Sequence, residues 1–138
     1  MYDFPHTSAA NDTLWTSIRD HLGYGPDHLT RDVDPWDIWQ SDDLLFAQTC
    51  GLPFRANLHE KVQLVGTPDY GIAGCPAGHY HSVIVVHVAS TIQDVNALTD
   101  KCFAYNEGLS QSGWAAPNAH MKAAGVPFKV GPCTGSHK

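Results

Sequence analysis

Positive charge is scarce in this chain. Lys and Arg number 8 against 14 Asp and Glu, and charged residues make up 16% of the 138 residues. The net charge of -6 leaves no broad basic face. That argues against non-specific binding to nucleic acid or to an anionic membrane surface. A small anionic ligand is not excluded, because a few local donors outweigh a weak overall field. Long apolar runs are also missing, and none approaches the roughly 20 residues of a membrane span. The opening Met1-Tyr-Asp-Phe-Pro-His6 is neither basic nor followed by an apolar run, so no signal peptide is expected there. The four cysteines (Cys50, Cys75, Cys102, Cys133) lack CxxC spacing, which argues against a zinc ribbon. Without an export signal they read as four thiols, with a Cys50–Cys75 disulfide as the alternative.

What is present is enough for a core: 43% of the residues are hydrophobic. Tyr2 to Pro5 reads as a strand end entering a turn. Thr7 or Ser8 then caps a helix to Leu22, with Ala10, Leu14, Trp15, Ile18 and Leu22 on one face. Gly23 closes it. Leu29 to Val33 is a weak strand, and Asp34-Pro35 opens a short helix to Gln40. Strands are expected at Leu44–Gln48, Val62–Gly66 and, most strongly, the β-branched Ser82–Val88. A Pro/Gly-rich loop runs between the last two. Ser90 or Thr91 opens another helix. Cys102–Tyr105 is a strand, followed by a loop and a helix from about Ser110 to Ala124, and a last strand lies near Phe128–Val130. Trp15, Trp36 and Trp39 read as core. Strands alternating with helices predict an α/β fold, a mixed or parallel sheet with helices on both faces.

Three polar loops follow apolar segments: Thr49-Cys50-Gly51, Ser110-Gln111-Ser112-Gly113 and Thr134-Gly-Ser136-His137. In such folds ligands bind where strand ends meet helix starts. The second loop offers backbone N–H groups at a helix start, two hydroxyls, an amide, and a glycine that permits close approach. Together these loops predict one small polar or anionic ligand, with Tyr2 and Asp3 at another strand end. The plainer alternative makes Ser110 or Ser112 an ordinary helix cap. His79 and His81 at alternate positions share a face if extended and can chelate a metal, but nothing nearby completes the set. Cys50 with a distant histidine is a nucleophile–base alternative. Ser-Gln-Ser112-Gly-Trp lacks the glycine that a nucleophile elbow requires. No cofactor and no metal are expected.

Met1-Tyr-Asp3, Gln48-Thr-Cys-Gly-Leu-Pro53, Val65-Gly-Thr-Pro68, Gly74-Cys75, Tyr80-His-Ser-Val83, Asn106 with Ser110-Gln-Ser-Gly113, and Thr134-Gly-Ser-His137 occur in that order. As a set they resemble the phosphate/phosphite/phosphonate-type substrate-binding proteins of ABC transporters. The resemblance implies a type II periplasmic-binding-protein fold, periplasmic location, a permease partner and no enzymatic step. It implies a ligand cleft between two α/β lobes. Residues 1–89 would form the first lobe, 90–99 the crossover and 100–138 an incomplete second lobe. Tyr2, Thr49, Ser110, Gln111, Ser112, Gly113, Thr134, Ser136 and His137 would face the cleft. Family members are longer, with a strand leading into the segment that begins here at Met1, so the chain reads as truncated. An incomplete lobe leaves apolar faces exposed, which predicts self-association as a homo-oligomer. The alternatives are a small α/β enzyme using Cys50 or a His79/His81 metal site, and a non-binding oligomeric fragment. Pro117 is expected to disturb or delay the start of the helix that follows Ser112.

Overall fold

The computed structural model describes residues 3–135. They divide into two compact units. One runs to Thr49 and takes in Leu58–Val62; the other comprises Cys50–Asn57 and the chain from Gln63 on.

The first unit is built on α1, Ser8–Leu22. Gly23 ends it in the left-handed conformation (φ 77°), its N–H reaching the Arg19 carbonyl, as the sequence predicts. Its start is held differently. Thr7 sits at the N-cap position, but its hydroxyl accepts the Phe4 N–H at 2.9 Å and donates to the Phe4 carbonyl at 3.1 Å. The entry turn is thus fastened to the helix. Arg31 adds a second fastening, donating to Asp3 at 2.6 Å and Asp12 at 2.8 Å. The two carboxylates raise the guanidinium's pKa further above its already high value, first through these hydrogen bonds. Of the expected apolar stripe only Trp15 is buried, whereas Leu14 remains 61% exposed. The indole Nε1–H donates to the Pro26 carbonyl at 3.0 Å. A Cβ on Gly25 (φ 126°) would come within 3.2 Å of the indole, so that turn requires glycine for both space and backbone. Trp15→Phe keeps an aromatic ring but loses the donor and the volume of the fused ring. It is expected to cost about 2–3 kcal/mol, read from the urea unfolding midpoint. A short helix α2, Pro35–Trp39, follows, with the Asp34 carboxylate accepting the Trp36 N–H at 2.8 Å. Trp36 and Trp39 are half-buried and meet edge to face at 5.0 Å.

The second unit begins with a single helical turn, α3 (Gly51–Pro53), passing at Phe54 into a wider turn. Its centre is a βαβ arrangement. Strand β1 (Cys102–Tyr105) leads through a wide turn over Gln111–Ala115 into α4 (Ala116–Ala123), and the chain returns as β2 (Lys129–Cys133), parallel to β1. Regular α-helix begins only at Ala116, next to Pro117, with the wide turn over Gln111–Ala115 before it, so the start of the helix is delayed, as the proline predicts. The ladder pairs Phe103 with Val130 and then Tyr105 with Cys133. Between those pairs Gly131 and Pro132 face Ala104, so β2 bulges where Pro132 has no donor to give. Met121 and Val126 are buried. Phe103, Tyr105, Trp114 and Phe128 form a chain of ring contacts with centroids 4.7–6.3 Å apart, tying the turn that starts α4 to the sheet.

Several expected elements are absent from the described residues. Leu29–Val33, Leu44–Gln48, Val62–Gly66 and Ser82–Val88 form no strand, because ladder hydrogen bonds join only β1 and β2. Valine-rich composition favours a pleated, half-covered surface and does not create one without neighbours. The period of two survives in the last segment: Val83 and Val85 are 72% and 80% exposed, and Ile84 and Val86 between them 37% and 43%. The helix expected from Ser90 shrinks to a 3-10 turn, Asn96–Leu98. Ser90 Oγ accepts the Ile92 N–H locally, and the Asp94 carboxylate takes the amides of Asn96 and Ala97. No described helix is long and apolar enough to cross a membrane.

Candidate functional site

The carboxyl ends of β1 and β2 lie side by side because the strands are parallel, so the loops that leave them meet. After β1 the chain turns through Asn106 to Ser110. Ser110 is 1% exposed, and its Oγ accepts the Gly113 N–H at 3.0 Å. Its carbonyl accepts from Trp114 and Ala115. Ser110 is therefore the N-cap of the helical segment, the plainer of the two roles foreseen for it. Beyond it, the Gln111 amide stands in the first turn of the helical segment, where a helix has no carbonyl of its own to offer. Gly113 packs against the buried Asn106, and a Cβ there would sit 1.8 Å from Asn106 Oδ1.

The loop after β2 is held to the same place. Thr134 N–H donates to the Tyr105 carbonyl and Gly135 N–H to the Asn106 carbonyl, each at 2.8 Å. Cys133 Sγ donates to the Asn106 carbonyl at 3.0 Å. Asn106 thus links the second and third of the loops marked in the sequence. The first loop joins through Gly51, where a Cβ would lie 3.9 Å from Gln111 Oε1. Arg55, on the turn after α3, donates from Nη2 to the same Oε1 at 3.0 Å.

Of the residues expected at the site, Ser110, Gln111, Ser112 and Gly113 share one turn, with Thr134 next to Asn106 on the neighbouring strand end. Thr49 belongs to the first unit and is half-buried. Tyr2, Ser136 and His137 lie outside the described residues. Asp3 is engaged by Arg31 and by the Asn11 amide. Arg55 was missed. It follows directly on the marked Thr49–Pro53 loop, and a guanidinium suits an oxyanion better than any group that was chosen. Cys50, the proposed nucleophile, is half-buried; burial raises its thiol pKa above the ordinary value, and Glu107 adds to the shift. His79 and His81 meet different partners, the Ala77 carbonyl and Cys75 Sγ. Among the described residues no group of three or more His, Cys, Asp or Glu is gathered as a metal site.

A βαβ unit with polar loops at the carboxyl ends of its parallel strands defines an α/β protein of the kind that takes ligands at that edge. A family model described as "ABC transporter, phosphonate, periplasmic substrate-binding protein" matches residues 41–138, and the chain belongs to that family. The family is one of transport proteins, and it is periplasmic. Neither the curated proteins nor the solved structures compared with the chain gave a match.

Proposed function

We propose that this chain binds a small oxyanion of the phosphate or phosphonate class at the loops leaving β1 and β2. The observation that carries the reading is the meeting of Gly51, Gln111 and Arg55 at the start of the α4 segment. Arg55 supplies the positive charge that the composition otherwise withholds. Because it holds the carbonyl end of the Gln111 amide, the NH₂ end is the one turned to a ligand. The Ser112 hydroxyl and the Gln111 amide N–H add donors, and Ser110 keeps the turn in shape. Thr134 gives both its N–H and its hydroxyl to the Tyr105 carbonyl, so it shapes the rim of the site. Tyr2, Thr49, Thr134, Ser136 and His137 belong to the site by family resemblance. Lobes at 1–89 and 100–138, joined by a crossover at 90–99, would close on the ligand and pass it to an ABC permease. The exposed valines of Ser82–Val88 favour a self-associated form.

The test is calorimetric titration of ligand-stripped protein with phosphate and methylphosphonate, with the solution mass measured alongside. Saturable binding is expected. Ser112→Ala should weaken it about tenfold, the loss of one hydrogen bond to a charged group, in a protein whose fold is checked by circular dichroism. A folded Ser112→Ala protein of wild-type affinity would remove the residue from the site. Absence of heat with either anion would remove the proposal.

A further inference from the structure

A second constellation lies outside the anion loops and owes nothing to them. The segment between Gly71 and Gly78 is turned by three glycines at positive φ: Gly71 (59°), Gly74 (81°) and Gly78 (72°). Two backbone bonds tighten it, from Cys75 N–H to the Ile72 carbonyl and from His79 N–H to the Pro76 carbonyl, each 3.0 Å. The chain is thereby folded back, and Cys75 Sγ lies 3.1 Å from His81 Nδ1. His79, two residues before, points elsewhere, its Nδ1 meeting the Ala77 carbonyl. Cys75 is half-buried, and the imidazole beside it is exposed. The other three cysteines differ. Cys133 Sγ is directed at the Asn106 carbonyl, Cys50 is held in its thiol form by burial, and Cys102 is an exposed thiol in β1. All four are free.

We propose that Cys75 and His81 form a nucleophile–base pair that makes Cys75 the peroxide-reactive thiol of this protein. His81 Nδ1 accepts the thiol proton as Sγ attacks one oxygen of hydrogen peroxide. An S–O bond forms and the O–O bond breaks. The departing hydroxide takes the proton back from the imidazolium and leaves as water. Sulfur is oxidised to the sulfenic acid and peroxide is reduced, so thiol plus peroxide gives sulfenic acid plus water. The imidazole speeds attack by taking the proton in the transition state, as a base within hydrogen-bond reach does.

The experiment exposes the fully reduced protein to hydrogen peroxide with dimedone present and measures labelling at each cysteine by peptide mass spectrometry. Cys75 is expected to label about tenfold faster than the more exposed Cys102, a modest share of what general bases supply. His81→Ala, with its fold checked by circular dichroism, should bring Cys75 down to the rate of Cys102, and added imidazole should restore part of the difference. Restoration by a free base is a readout that a purely structural role for His81 would not give. Equal labelling of Cys75 and Cys102 in the unaltered protein overturns the pair without any variant. So does a His81→Ala protein whose Cys75 labels at the original rate.

Discussion

Gly113→Ala is expected to abolish measurable phosphate binding and to lower stability together. The added Cβ would stand 1.8 Å from Asn106 Oδ1, 2.8 Å from its Cγ and 3.1 Å from Ser110 Oγ. Non-bonded carbon and oxygen do not approach within 3 Å, so either the turn or Asn106 must move. Neither can move alone. Asn106 is buried, and its carbonyl receives Gly135 N–H and Cys133 Sγ, so a push on it reaches the loop after β2. Ser110 Oγ holds the Gly113 amide, so a shift of the turn breaks the cap that shapes it. Overpacking of this kind costs about 1–3 kcal/mol, and the cap adds about 1 kcal/mol if it is lost. The cause is space and not backbone strain, since Gly113 is not among the glycines at positive φ. That distinction can be tested. Asn106→Ala removes the obstructing carboxamide, so the double variant should recover part of the stability that Gly113→Ala loses. Ser112→Ala is the counterpart, losing affinity with no Cβ clash added to the turn. A Gly113→Ala protein with wild-type midpoint and affinity would mean that Asn106 does not sit under this turn.

The parts of the fold that sequence made legible are those decided by neighbours along the chain. The end of α1 at Gly23, the Asp34-Pro35 start of α2, the Ser110 cap and the effect of Pro117 are each settled within about one helical turn. Strands are decided by partners far away; Cys102–Tyr105 and the last strand near Phe128–Val130 were read correctly, and the other four segments were not. Ser82–Val88 carries the strongest β-forming composition in the chain, yet in the described residues it has no ladder. By contrast Cys102–Tyr105 is a strand because Lys129–Cys133 lies beside it. The same division runs through the site. The loop chemistry of Ser110–Gly113 is local and was readable. Arg55 reaches Gln111 from 56 positions away, and no spacing rule connects them. Cys75 and His81 are close in sequence, but the Pro/Gly-bearing segment around them read only as loop. Which side chains a left-handed turn brings together depends on where each positive φ falls.

Gly131→Ala should be the most damaging single methyl in the sheet, costing about 2–3 kcal/mol, near the upper end for overpacking. Its Cβ would lie 2.7 Å from Cys102 Sγ and 2.8 Å from the Phe103 carbonyl oxygen. The thiol can rotate away; the carbonyl is backbone and cannot. Cys102→Ala should therefore fail to rescue the variant, and this separates a side-chain clash from a ladder clash. Backbone relief would have to come from parting the strands where Gly131 and Pro132 already bulge. Parting them takes Phe103 and Tyr105 from Phe128 and Trp114, so the near-ultraviolet dichroism of the ring cluster should fall with the denaturation midpoint. It also releases Thr134 and Gly135 from the Tyr105 and Asn106 carbonyls, so phosphate affinity should drop although no ligand-facing group has changed. Gly108→Ala is the control. It has open space around it and no positive φ, and it should leave all three measurements unmoved. If Gly131→Ala were equally silent, β1 and β2 could not pair in this register. The placement of the Thr134 loop beside Asn106, on which the anion site depends, would then fall with it.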